Sequence, residues 1–584
     1  MAGAALLGCS SSAPPPEPAA SATARAARTA APEPAPSVAA GDVRLTPGSY
    51  RRILAPTAAE ANPSANAIPG GTLVDRYLDP TTMDINRTLS CTVQHTMNLT
   101  NSRLTRVKVG AGANAVLPEI EPDLASSWEA TPDNLEFTFH LRKGVKTHNV
   151  APANGRDLTS EDVRLSLERY RAGGSQKDVF AEVASIDAPD ASTVRVRLAS
   201  PRVDLPTDLA AWCFIWLKEL VEDDNLIQTK AVGSGPFIQE EWTKQERSVF
   251  RKHPDYYETG RPYIDRYVAH VQNDLSAQAK GFADNTYAFW TALDDSDTDS
   301  MGSRVNDMVM WTRPRSRGSN TNGWQFQMRS PSFRDERVRR AISLAIDRTK
   351  IDESRNAGDN ANPEGPYSNA PLPWPFLFDG APTGKANGRY YAYDPKEASR
   401  LMQAAGFSKE RPLRWSHVTW YDREASGEII PSLNGVLPEV KVELKQIDSA
   451  TQVAALADRS FQETTGIVWG PPGNSVDQWL YPWYHSKGGL NYGSKGNDDL
   501  DKLLDQQRRE SNLESRKATW QKIWTTIHEQ VWDLWWPEAH LRSAWHNWVL
   551  NYRPHGLLDG WVCYANHNLS SMWLDKDAPQ RKTP

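Results

Sequence analysis

The sequence predicts an α/β protein built of several lobes, on three observations. Segments alternating apolar and polar residues at period two recur between segments whose apolar residues fall at helical spacing. No internal period repeats along the chain. At 584 residues the chain exceeds what one hydrophobic core holds, which suggests roughly two to four lobes.

Taken in order, GGTLV at 70–74 is a turn feeding a strand. Residues 135–141 (LEFTFHL) alternate as a half-buried strand, closed by Arg142, Lys143 and Gly144. Trp128, in the run SSWE, is expected as a buried Trp beside a turn. Thr159 is placed to cap a helix carrying Val163, Leu167 and Tyr170 on one face. Residues 193–198 (TVRVRL) form another strand. In RVRRAISLAID at 337–347, Val338, Ile342, Ala345 and Ile346 share a helical stripe. Asp394, Pro395 and Glu397 make a helix start, Leu401, Met402 and Ala405 its buried face, and Gly406 its end. Trp520, Ile523, Trp524, Ile527, Val531 and Trp535 run at helical spacing until Pro537, where the helix is expected to stop.

The formal net charge of −6 is modest, and without a basic stripe no nucleic-acid partner is expected. The 22 Trp are conspicuous, and most are expected in cores. No apolar run approaches the ~18 residues that span a bilayer. Leu6-Leu7-Gly8-Cys9 fits a lipobox, in which Cys9 is lipidated and starts the mature protein; residues 1–9 are then the remnant of a lipoprotein signal. Met1 to Leu7 lack the basic and apolar regions of a full export signal, so the true start is expected upstream. Residues 10–69 are expected as a disordered Ala/Pro/Ser-rich tether, with a reach on the order of 40 Å or more. Cys91, Cys213 and Cys563 show no CxxC spacing, so neither a metal nor a redox motif is expected, and one pair is free to be bridged in an oxidising compartment. The acidic run 294–299 (DDSDTD) is read as a polar loop. No GxSxG, HExxH or P-loop pattern occurs, and no catalytic residue is assigned.

Several blocks then converge. Residues 124–148 (LASSWEATPDNLEFTFHLRKGVKTH) and 154–169 (NGRDLTSEDVRLSLER) are followed in order by VGSGPF at 232–237, FRDERVRRAISLAIDR at 333–348, YDPKEASRLMQAAGF at 393–407 and the stretch 469–483. This pattern resembles the peptide/nickel-binding class of ABC-transporter solute-binding proteins, the dipeptide- and oligopeptide-binding family. The resemblance covers about residues 70–550. It implies a three-lobed, type II periplasmic-binding-protein-like fold with an extra lobe. Lobe I takes 70–97, 232–323 and 540–584, lobe II takes 98–231, and lobe III takes 324–539. The ligand cleft lies between lobes I and III and closes by a hinge. Gly233, Gly235 and Pro236 supply backbone freedom where the chain crosses between lobes. The implied role is extracytoplasmic capture of a small ligand and delivery to ABC permease subunits, with no cofactor and a membrane attachment through the Cys9 lipid.

In peptide binders of the family a Gly-Trp-x-x-Asp segment lines the pocket, its Trp on the ligand and its Asp on the peptide ammonium. Here Trp469 and Gly470 hold the pocket position, but Pro472 stands where the Asp is expected and pairs with no cation. Asp477 downstream matches a structural residue. Arg423 is the nearest candidate for a ligand carboxylate, with a solvated loop Arg as its other reading. Trp420, Tyr421, Trp479 and Trp483 complete an aromatic neighbourhood. Flat apolar faces with few fixed charges suit sugar rings as well as peptides. The cargo is therefore read as peptide-like first, a sugar-like or other neutral solute second, with a ligand-sensing receptor subunit as the alternative of another class. His417 and His485 lie nearby without metal-ligand spacing, and no metal is expected.

Overall fold

The computed structural model describes residues 51–52, 60, 63–77, 79–88, 90–110, 113, 119–292, 295–312, 323–355, 388–419, 425–467, 475–536, 542–553 and 569–582. Two glycines at positive φ, Gly70 (+103°) and Gly71 (+99°), turn the chain into strand Thr72–Tyr77. A side chain at Gly71 would press within 3.1 Å of Leu574. Thr72–Tyr77 runs parallel to Arg266–Val271, which continues antiparallel to Arg247–Lys252 and then Phe237–Thr243. A second sheet has Arg542–His546 hydrogen-bonded antiparallel between Phe289–Ala292 and Met308–Thr312. The Ala288 N–H donates to the Val74 carbonyl at 3.1 Å, and the Gln580 amide bridges Val74 to Thr286, tying the two sheets side by side. Leu73, Phe250, Tyr267, Phe289, Trp545 and Leu574 fill one core beneath them.

Folded structure begins before Gly70, inside the stretch whose composition suggests a tether. Arg51–Arg52 pairs in parallel with Val309 and Met310. Buried Glu60 accepts the Asn551 N–H at 2.9 Å and holds the Arg553 guanidinium at 2.8 and 3.0 Å. Ala/Pro-rich composition outweighs these single polar residues in any compositional average, which is why the boundary falls too late in the sequence.

An antiparallel sheet forms the second core, ordered Ala125–Ala130, Glu136–Leu141, Thr193–Leu198, Val183–Asp190. The period-two pattern buries Phe137, Phe139 and Leu141 on one strand and Val194, Val196 and Leu198 on the next. Helix Ser160–Ala172 buries Val163, Leu167 and Tyr170 against them. Asp162 accepts the Thr159 N–H at 2.9 Å and pairs with Arg156 at 2.6 Å. Trp128 is half-buried on strand Ala125–Ala130, packed at the margin of this core and not beside a turn. Cys213 is buried here as an unbridged thiol.

The third core surrounds a five-stranded mixed sheet in the order Val440–Gln446, Leu413–Thr419, Thr464–Ile467, Gly323–Phe326, Asp533–Trp535. Helices Glu336–Leu344 and Pro395–Ala404 cover it, with the Asp394 carboxylate accepting the Glu397 N–H at 3.0 Å. The tryptophan stripe is buried as expected from Trp520 to Ile527, but the helix is Leu513–Gln530 and does not reach Pro537. Val531 adopts the left-handed conformation (φ 46°, ψ 54°) that ends it, and Trp535 lies on a strand opposite Gly323. Helical spacing survives across this break by coincidence, because both elements bury their apolar residues in one core. A Cβ at Gly323 would come within 2.4 Å of the Leu534 carbonyl, so only glycine permits that strand pairing. The acidic run is also re-assigned: Asp295–Gly302 is a helix.

The first and second cores are joined where residues 99–103 and 232–236 pass each other. The Gly235 N–H donates to the Thr100 carbonyl at 3.0 Å, and Ser102 donates to the Ser234 carbonyl at 3.2 Å. Cβ atoms at Gly233 and Gly235 would stand 2.4 and 2.5 Å from the Thr100 backbone, so the glycines serve close approach and not unusual dihedrals. Two buried histidines clamp the crossing, His148 and His253, with ring centroids 5.0 Å apart. His148 Nδ1 accepts the Gly233 N–H at 3.3 Å, and the His148 N–H donates to the Gly233 carbonyl at 2.8 Å. Burial, then the neighbouring His253, pushes His148 down to about 3, and burial also lowers His253; Arg251 adds to both shifts, and Asp255 opposes that of His253. A histidine whose folded value lies below its unfolded value near 6.5 favours the neutral fold. For His148 that contribution is complete above pH 6.5 and declines as pH falls toward 3, by roughly 1.4 kcal/mol per unit, and His253 acts in the same direction. Urea unfolding of the full chain between pH 7 and 4 should therefore show stability falling, with a shallower slope in His148→Gln. An identical slope in the variant would mean that His148 titrates alike in the folded and unfolded chain.

Candidate ligand cleft

Parallel pairing fixes where the candidate binding segments leave the third sheet. Leu413–Thr419 and Thr464–Ile467 run parallel, with His417 opposite Thr464 and Val418 opposite Thr465. Their carboxyl ends, Thr419 and Ile467, therefore open on the same edge. Gly323 faces both Ile467 and Trp535, so the incoming strand starts and the outgoing strand ends at that edge too. On the other sheet, Ala292 and Thr312 both lie opposite Arg542. The chain thus passes between the two edges twice, from Thr312 to Gly323 and from Trp536 to Arg542. Five residues separate Trp536 from Arg542, so these points are at most about 23 Å apart. The carboxyl ends of parallel strands are where α/β proteins place ligand clefts, and this edge is the candidate site.

Trp420, Tyr421 and Arg423 directly follow Thr419, and Trp469, Gly470 and Pro472 follow Ile467; all six lie outside the described residues. Trp479 lies on helix Val476–Tyr484, 2% exposed within the third core, and Trp483 on the same helix is 5% exposed there. Beneath the edge, Trp324 stacks on His417 with centroids 4.1 Å apart and meets Trp536 edge-on at 5.9 Å. The buried indole N–H groups of Trp479, Trp535 and Trp536 and the Gln325 amide have no hydrogen-bond partner among the described residues. His417 is buried and bonded to Thr464 at 3.1 Å. His485 stacks on Tyr481 at 4.2 Å and accepts the Lys487 N–H at 3.0 Å. No group of three His, Cys, Asp or Glu among the described residues is arranged to hold a metal. The floor of the edge is therefore aromatic, with uncharged donors.

The family model for bacterial extracellular solute-binding proteins, family 5 middle, matches residues 119–491, more than half of the chain. This chain belongs to that family. The solute-binding protein is 23% identical over 457 residues to the heme-binding protein A of Haemophilus influenzae, covering 72% of this chain and 79% of that one. Among solved structures it matches the ABC transporter-associated periplasmic binding protein DppA of Helicobacter pylori, solved with a peptide STSA. There the TM-score is 0.71 at 22% identity, over 87% of this chain and 99% of that one. The binding protein AgaA of A. tumefaciens R10, solved with agropinic acid, gives 0.70 at 21% identity, over 86% and 99%. At these identities the likeness carries the fold, which is the α/β type II periplasmic-binding-protein fold. The protein is a component of an extracytoplasmic solute-import system, and no helix of the described residues is long and apolar enough to cross a membrane.

In this solute-binding protein Asp477, just beyond the pocket motif, joins the third core to the second. Its carboxylate takes Arg508 at 2.8 and 2.9 Å and the Gln507 amide at 2.5 Å. Arg202, more than 270 positions earlier, lies 3.4 Å from Asp477 and 2.5 Å from Asp208. Arg516 pairs with Asp204 at 2.8 Å, and the Gly489 N–H donates to Asp178 at 3.1 Å. Nearly all of these groups are buried. Burial pushes the Asp477 carboxyl up, but the Arg508 and Arg202 guanidiniums outweigh it and hold it below the usual carboxylate range. Sequence patterning misses this network because its members are spread over four helices and the loops between elements with no shared motif; its only local sign is the isolated acid after the pocket segment. Removing one member leaves buried guanidiniums short of a partner, so Asp477→Ala should cost about 3–5 kcal/mol in urea unfolding. A loss under ~1 kcal/mol would show that the network is solvated.

Proposed function

We propose that this protein captures a peptide-like ligand outside the cytoplasmic membrane, held there by a lipid on Cys9, and delivers it to the permease of an ABC importer without chemical turnover. The observation that carries the reading is the pair of sheet edges linked by two chain passages, with Thr419 and Ile467, which precede the Trp420–Arg423 and Trp469–Pro472 segments in sequence, ending parallel strands at one of them. That the Helicobacter pylori relative in fold was solved with a peptide supports the class of cargo. The proposed lobes are lobe I as 70–97, 232–323 and 540–584, lobe II as 98–231, and lobe III as 324–539. Ile85, Val93 and Met97 already pack into the second core. Closure of lobe III on lobe I is the state that the permease reads.

A second reading, a sugar-like or other neutral solute, is favoured by Pro472 in place of an ammonium-pairing acid and by the unpartnered indole donors. In either case the ligand contacts are assigned to Trp469, Gly470, Trp420, Tyr421, Arg423 and Trp479, with Trp469 as the stacking residue.

Mass spectrometry of small molecules released by denaturing freshly purified protein decides between them: peptides support the first reading, and glycans the second. With the released cargo as probe, Trp469→Ala should weaken binding at least tenfold, about 1.4 kcal/mol, with an unchanged melting temperature. An unchanged Kd removes Trp469 from the site. Separately, Cys9→Ser should move the protein from the membrane fraction to the soluble fraction, and persistent membrane association refutes the lipid at Cys9.

A further inference from the structure

The second and third cores meet without a chain passing directly between them. From Val232, the last buried apolar residue of the second, to Trp324, the first of the third, the chain runs by way of the first core. The buried apolar residues of the two cores also form separate clusters. The contacts that join them are polar. Arg516 pairs with Asp204 at 2.8 Å, and the Gly489 N–H donates to Asp178 at 3.1 Å. The Val203 N–H donates to the Arg508 carbonyl at 3.3 Å, and the Arg508 guanidinium lies 3.5 Å from Glu182. Lobes of one chain that touch through polar contacts move relative to one another by default, whereas a large apolar interface holds them fixed.

The charges at this junction are arranged to survive separation. Arg202 is held on the second-core side by Asp208 at 2.5 Å and the Val179 carbonyl at 2.6 Å. Asp477 is held on the third-core side by Arg508 at 2.8 and 2.9 Å. Between Arg202 and Asp477 the distance is 3.4 Å. Each charge thus has its closest partner on its own side, and parting the sides strands neither. Breaking a buried pair is costly only when one charge is left without its partner. Arg202 Nε and Arg516 Nε are buried without a hydrogen-bond partner, so opening would also admit water to donors that the closed junction leaves unsatisfied. The Asp204–Arg516 pair is different, because it exists only while the two sides meet.

We infer that this junction is a separable latch: the second and third cores come together in the closed, cargo-loaded form, and Asp204 and Arg516 are positioning residues that hold it shut. This rests on the solute-binding reading above and deepens it, by placing part of the closing energy at a junction of the scaffold.

A pair of cysteines in the full chain tests it without cargo. A Cβ on Gly489 would stand 2.6 Å from the Asp178 carboxylate, so Asp178→Cys with Gly489→Cys puts two thiols within disulfide reach when the cores are together. In dialysed protein the bridge, identified by peptide mass mapping, should form under mild oxidation. Small-angle scattering should then show the reduced protein larger than the oxidised by roughly 1 Å, in a radius of gyration of about 25 Å. Equal radii, or a bridge that never forms, overturn the latch. Adding Asp204→Arg should slow bridge formation at least tenfold, and Arg516→Asp in the same chain should restore it. Asp204→Asn, which changes charge and not size, should slow it in the same direction. A rate unchanged by both Asp204 variants, or slowing that Arg516→Asp does not reverse, overturns the role of the ion pair. Neither readout involves cargo, so failure here leaves the solute-binding reading standing; that reading is sunk separately, by full-length protein that retains neither peptides nor glycans.

Discussion

Strand Arg542–His546 is hydrogen-bonded on both sides, to Phe289–Ala292 and to Met308–Thr312, and the geometry of the cleft depends on that placement. Because one strand that enters the sheet and one that leaves it are register partners of the same residue, the two passages between sheets start from adjacent points. The same condition recurs across the gap, where Gly323 faces both Ile467 and Trp535.

Charge is distributed in three different manners around this frame. At the junction of the second and third cores, Arg202, Arg508 and Arg516 are matched by Asp208, Asp477 and Asp204, so desolvation is offset within the protein. At the crossing of the first and second cores, His148 and His253 take the opposite course and are held neutral against backbone groups. At the first sheet, burial lowers Arg76 and raises Asp75, and the charge of each neighbour opposes the shift of the other.

What the sequence showed plainly was local. Period-two alternation placed 135–141 and 193–198 on strands with the correct faces inward, and Asp394, Pro395 and Gly406 bounded their helix because caps act within one turn. The errors arose where tertiary structure overrides local pattern. Trp535 keeps helical spacing with Trp520 and Trp524 yet sits on a strand, since Val531 reverses the chain into the same core. Gly233 and Gly235 were legible as special positions, but the reason for them, contact with Thr100, is 130 residues distant. Arg76 gave no signal in the sequence: one basic residue in an apolar strand differs from a solvated one only once its surroundings are known. The loop residues expected to line the pocket follow, in sequence, two strands whose parallel pairing is also invisible locally.

The electrostatics of the two walls bear on how cargo is oriented. A peptide held mainly at its ammonium needs a fixed acid in the pocket segment, and here Pro472 takes that position. Stacking on indoles gives affinity but little sense of direction, because a ring face does not distinguish the two ends of a chain.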